Sequence, residues 1–144
     1  MAKDTMPTMN DIARSGAGKG GRALRIDHAA VPIELSPSGL PTQHLISSRN
    51  GAERLFVAQQ WLQPGQRVLL HTHSVEEAIT FLSGSGEATL GDQTVPIAAG
   101  VSLYIPAGIV HGFRCLEGTL HVIVVFPVAD FAETLIVEDH PAAQ

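Results

Sequence analysis

Between Leu55 and Phe126 the apolar residues fall in short runs, each closed by a turn signal. "LFVAQQWL" (55–62) stops at Pro64-Gly65, and "QRVLLHTH" follows it. "EEAITFL" runs to Ser83-Gly84-Ser85-Gly86, "EATLG" turns at Gly91-Asp92, and "QTVPIAAG" ends at Gly100. "VSLYIP" turns at Pro106-Ala107-Gly108, and Glu117-Gly118 parts "IVHGFRCL" from "LHVIVVF". Turns recur every 6–12 residues, and no long amphipathic helix is written before Val128. This pattern predicts an antiparallel all-β sandwich or barrel. The segment "PVADFAETLIVED" fits a short helix or a last strand, and the pattern leaves both open. No internal repeat of fixed period is evident.

Length and composition add bounds. A chain of 144 residues is most simply one domain with one core. Fourteen Gly and nine Pro suit many turns between short strands. Residues 1–22 carry four basic and two acidic groups and end in "SGAGKGGR", which predicts a flexible tail ahead of a single domain at 23–144. Gly16, Gly18 and Gly21 have a G-x-G-x-x-G spacing, but no strand precedes them and no helix follows, so a phosphate loop is not expected. Residues 23–144 hold five Arg against twelve Asp and Glu, a balance that repels nucleic acid. A single cysteine, Cys115, excludes an intrachain disulfide. With no signal-like N-terminus and no apolar run of membrane length, the expectation is a soluble cytoplasmic protein without a membrane partner.

The candidate chemistry lies in "HTHSVEEAITFLSG", which opens at His71. In a strand, residues i and i+2 face the same way about 7 Å apart, so His71 and His73 project together. Glu77 follows past a short bend and shares parity with Ile79 and Phe81, whereas Glu76 has the opposite parity and faces solvent. His111, Phe113 and Cys115 likewise share one face. Imidazole and carboxylate are ordinary ligands for Mn, Fe, Ni, Cu or Zn. A carboxylate on an apolar face needs a cation or donor, which a metal would supply. Spacing by itself leaves a metal site and a solvated strand lip both open, and a lone histidine such as His111 is ordinarily a hydrogen-bonded core residue.

Gly65, His71, His73, Glu77 and Gly84 fit G-x5-H-x-H-x3-E-x6-G, and Gly100, Pro106, Gly108 and His111 fit G-x5-P-x-G-x2-H. Fifteen residues lie between the two motifs. In these nine positions, within residues 65–115, the chain resembles the cupin superfamily, specifically a small single-domain cupin. The resemblance implies an all-β jelly-roll barrel, the double-stranded β-helix. It implies one divalent transition metal ion (Fe, Mn, Ni, Cu or Zn) held by His71, His73, Glu77 and His111. One position departs: Cys115 stands where the second motif ends in Asn, a residue that is not a ligand in the family. A buried inert thiol and a substrate contact are both readings of it.

The function implied is a metal-dependent enzyme acting on a small organic molecule, with a dioxygenase-type oxidoreductase ahead of an isomerase or lyase. In the latter reading Glu77 is also the catalytic base. A non-catalytic small-ligand-binding cupin is the alternative from another class. Phe81, Phe113, Cys115 and Arg67 are the expected substrate-pocket residues, Arg67 as the greeting group for an anion. Tyr104 and His121 could donate protons but are not placed by the pattern. The resemblance also implies a homodimer.

Overall fold

The computed structural model describes residues 21–138, so most of the expected tail, with Gly16 and Gly18, lies outside the described residues. Nine strands occupy this range: β1 (Glu34–Leu35), β2 (Pro41–Ile46), β3 (Phe56–Leu62), β4 (Arg67–His73), β5 (Glu77–Leu90), β6 (Gln93–Ala98), β7 (Ser102–Ile105), β8 (His111–Phe126) and β9 (Thr134–Ile136). All pairings are antiparallel. The all-β expectation holds. Pro96, which has no N–H to give, sits on β6, an edge strand paired only with β5.

Two long strands turn this sheet into a barrel. The first half of β5 and the second half of β8 pair with each other and carry β7 and β3 on their outer sides. The other halves of β5 and β8 also pair, and carry β6 and β4. Each long strand therefore passes from one layer to the other. The sequence pattern breaks these strands at Ser83–Gly86 and Glu117-Gly118, but the structure runs through both places. They are bends, because hydrogen bonding continues beyond them while the β5–β8 register shifts between Phe81 and Gly86.

Burial records the crossing. Glu77, Ile79 and Phe81 point inward before the bend of β5, and Gly86 and Ala88 after it. On β8 the inward set changes from His111, Phe113 and Cys115 to Leu120, Val122, Val124 and Phe126. A change of parity is what moving between layers requires of a period-2 element. Glycine makes the crossing possible. Gly84 has φ +75°, and a Cβ there would lie 2.5 Å from the Thr119 carbonyl oxygen.

Side chains from both layers meet in one apolar cluster that includes Phe56, Phe81, Phe113, Leu120 and Phe126. The segment left open between helix and strand becomes β9, which pairs with β4 through His71↔Ile136, Thr72↔Leu135 and His73↔Thr134. No helix among the described residues is long and apolar enough to cross a membrane.

Candidate metal centre

The four chemistry-bearing residues arrive at one place from three strands. His71 and His73 lie on β4, Glu77 opens β5 and His111 opens β8. All four are buried, His111 to 2% exposure. One ligand-type atom from each lies within 4.8 Å of the other three. Register explains the convergence, since His71 pairs directly with His111 across β4 and β8.

Hydrogen bonding decides which imidazole nitrogen faces inward. The Nδ1 atoms of His71, His73 and His111 lie 2.6, 3.0 and 2.8 Å from the carbonyl oxygens of Leu69, Glu133 and Ile109. A carbonyl only accepts, so each Nδ1 carries the proton and each Nε2 presents a lone pair. Those Nε2 atoms meet one another and one carboxylate oxygen: His71 to His73 at 3.0 Å, His111 to Glu77 Oε1 at 2.8 Å, and His73 to the same oxygen at 3.6 Å. Burial pushes the His71 imidazole down to about 4, against the Leu69 carbonyl, and burial also lowers His73. Three neutral nitrogen donors and a carboxylate, each nitrogen oriented through its second ring atom, fit a divalent transition ion.

His71, His73 and Glu77 line a small cavity, in which the centres of water-sized molecules have about 30 Å³ of room. Phe113 lines it. Phe81 does not. It is fully buried behind, edge-on to Phe113 with ring centroids 5.4 Å apart. Cys115 is also fully buried away from the cavity, its thiol 3.1 Å from the Gly118 carbonyl at the bend of β8. Arg67 does not line the cavity either and pairs with Glu138 at 3.0 Å. The cause is a register shift between Val68 and His71, which puts Val68 on the cavity wall where strict alternation would put Arg67. Glu76 is exposed as expected, accepting from the Tyr104 hydroxyl at 3.1 Å, and Tyr104 is itself 64% exposed. His121 lies outside the cavity, stacked on Trp61 and donating to Gln59 Oε1 at 2.7 Å.

Sequence reasoning missed several contributions to the wall, three of which are instructive. Gln60 lines the cavity and is buried to 4%. Its signal was present, since Ala58, Gln60 and Leu62 share the inward parity of β3 and a polar residue among them is an exception. The stretch from Ser36 to Ser38, following β1, forms another part, and nothing in its composition marks it. The third is β9, which supplies Thr134 and Ile136 to the wall and follows directly on the Glu133 carbonyl that orients His73.

Residues 59–126 match the family model of the cupin domain. An uncharacterized protein of Streptomyces coelicolor is 37% identical over 54 residues, which cover 38% of this chain and 51% of that one, about half its length. The polyketide cyclase RemF from Streptomyces resistomycificus superposes with a TM-score of 0.72 at 25% identity, over 83% of this chain and 89% of that one. Bacillus subtilis oxalate decarboxylase, a protein with Mn(II) centres, gives a TM-score of 0.69 at 21% identity, over 81% of this chain and 33% of that one. The latter likeness concerns the fold alone.

Proposed function

The chain carries a cupin domain at residues 59–126, and from that premise we propose that it is a metal-dependent enzyme acting on a small oxygen-bearing organic molecule. The reaction class we favour is of the cyclase or lyase kind, in which negative charge develops on a substrate oxygen. The observation that carries this reading is the meeting of three Nε2 lone pairs with Glu77 Oε1 in a buried cavity. A divalent ion bound by His71, His73, Glu77 and His111 supplies an electrophile that stabilises such charge.

The chain's own residues have distinct tasks. The carbonyls of Leu69, Glu133 and Ile109 hold the imidazoles in the one tautomer that can ligate. Both imidazole contacts to Glu77 go to Oε1, which leaves Oε2 free of them and makes Glu77 the candidate proton acceptor. Phe113, Val68 and Ile79 give the cavity apolar walls, which disfavour water beside the reacting groups. The likeness to a polyketide cyclase, over 83% of this chain and 89% of that one, supports this class over oxygen chemistry.

A dioxygenase, the first expectation from the sequence, is the second reading here, supported by a donor set that also suits Fe(II) and by the cavity beside it. The deciding experiment follows α-proton exchange in deuterated water for a panel of hydroxyketones and keto acids, with oxygen consumption measured in parallel on Fe(II)- and Mn(II)-loaded protein. Exchange that depends on metal and on Glu77, without oxygen uptake, is the expected result. Oxygen uptake without exchange turns the reading to a dioxygenase, and silence in both contradicts an enzyme and favours a binding protein.

A further inference from the structure

Charge in the cavity wall restricts what can bind there. No Arg or Lys among the described residues lines it. Arg67, the cation that sequence parity assigns to this face, is turned to Glu138. The remaining polar wall is neutral, and most of it already serves the backbone. Ser36 and Ser38 accept from the amides of Leu40 and Leu69, and the Thr134 hydroxyl donates to the Ala132 carbonyl. The rest of the wall is apolar, with Val68, Ile79, Phe113 and Val124 among its members.

Given the metal centre proposed above, on which this inference rests, three neutral imidazoles and one carboxylate leave a divalent ion with one positive charge. A monoanionic ligand brings the buried site to neutrality. A dianion leaves a net negative charge among apolar walls with no counter-ion, and such burial costs several kcal/mol.

Ser36 and Ser38 keep their hydroxyl protons, and Gln60 adds the one side-chain amide among the wall's described residues, with both donor and acceptor capacity for a ligand. The Thr42 hydroxyl donates to the Leu40 carbonyl at 2.9 Å and therefore accepts from Gln60 Nε2 at 3.1 Å. That relay settles which end of the amide is nitrogen and holds the side chain against the cavity. We propose that the site takes a ligand with a single negative charge and a second, uncharged oxygen, as in an α-keto acid or an ionised hydroxyketone, and that the Gln60 amide recognises the uncharged part. Dicarboxylates are disfavoured by charge.

Pyruvate and oxalate make a matched pair, since a methyl group in one stands where the other has a charged oxygen. Protein loaded with Co(II) is titrated with each, the visible spectrum of the ion giving the affinity, and aqueous Co(II) is titrated alongside. The protein is expected to shift the pyruvate-to-oxalate preference at least about tenfold toward pyruvate relative to the aqueous ion. Gln60→Ala should weaken pyruvate about fivefold with Co(II) content unchanged, one hydrogen bond being lost. Gln60→Asn, which keeps the amide but shortens its reach, should weaken it likewise if the alanine variant does not fold. An oxalate preference equal to that of the aqueous ion overturns the charge rule, and unchanged pyruvate affinity in a folded, metal-bearing variant overturns the role of Gln60. Failure of the protein to bind Co(II) at all contradicts the metal centre itself, and this inference with it.

Discussion

The Nε2 atoms of His71 and His73 lie 3.0 Å apart while each ring's Nδ1 faces a backbone carbonyl, of Leu69 and Glu133 respectively. With the protons held at Nδ1, two nitrogen lone pairs oppose each other in a buried space. That contact is repulsive unless a cation lies between them or one ring takes a second proton. Burial disfavours the proton, since it holds His71 down to about 4. A metal ion between them would relieve the repulsion, which makes these residues a candidate metal site.

Stability of the metal-free protein should depend on acid in a defined window. The unfolded His71 titrates near pH 6.5 and the folded one at about 4, so between these values the unfolded chain binds more protons. Stability is therefore full above pH 6.5 and falls as pH drops toward 4, by up to about 1.4 kcal/mol per pH unit for this group. His73, lowered by the same cause, adds to the fall. Urea unfolding of metal-stripped protein between pH 7.5 and 4 measures it, and a flat profile contradicts the buried neutral imidazoles.

Crossing of β5 between the layers should depend on Gly84. A side chain there meets the Thr119 carbonyl at 2.5 Å from a backbone at φ +75°. Gly84→Ala is expected to cost about 2 kcal/mol or more, seen as a lowered urea midpoint. A midpoint within experimental scatter of the parent's contradicts the tight crossing.

Arg67 and Phe113 should separate surface from site. Arg67→Ala removes a partly exposed pair with Glu138 and is expected to cost less than about 1 kcal/mol, with metal content unchanged. Phe113→Ala opens the cavity wall and the contact with Phe81, and is expected to cost about 3–5 kcal/mol. Unfolding curves with metal analysis of each variant check both, and a larger loss for Arg67→Ala reverses the assignment of faces.

Much of the fold was legible because β-strands write their faces with period 2 and their ends with Gly and Pro. That rule carried His71 and His73 to one face and turned Glu76 to solvent. It failed where the backbone departs from regular alternation. The bulge between Val68 and His71 moved Arg67 off the cavity face, and the bends near Gly84 and Gly118 looked like turns because glycine marks both. Residues joined only by tertiary contact left the weakest trace: β9 is three residues long, and the group that orients His73 is the backbone carbonyl of Glu133 just before it, to which side-chain identity gives no clue. Gln60 is the instructive intermediate, a polar exception in an inward row whose partner, Thr42, lies on a strand the pattern did not pick out.

The central claim is that His71, His73, Glu77 and His111 together hold one divalent transition ion. Elemental analysis of the purified chain, compared with His71→Ala and His111→Ala variants after exposure to the same metals, tests it most directly. The account predicts about one ion per parent chain and less than about a tenth of that in either variant, with the variants still folded by circular dichroism. A parent chain that takes up no Fe, Mn, Ni, Cu or Zn, or variants that retain the parent's metal content, would contradict it.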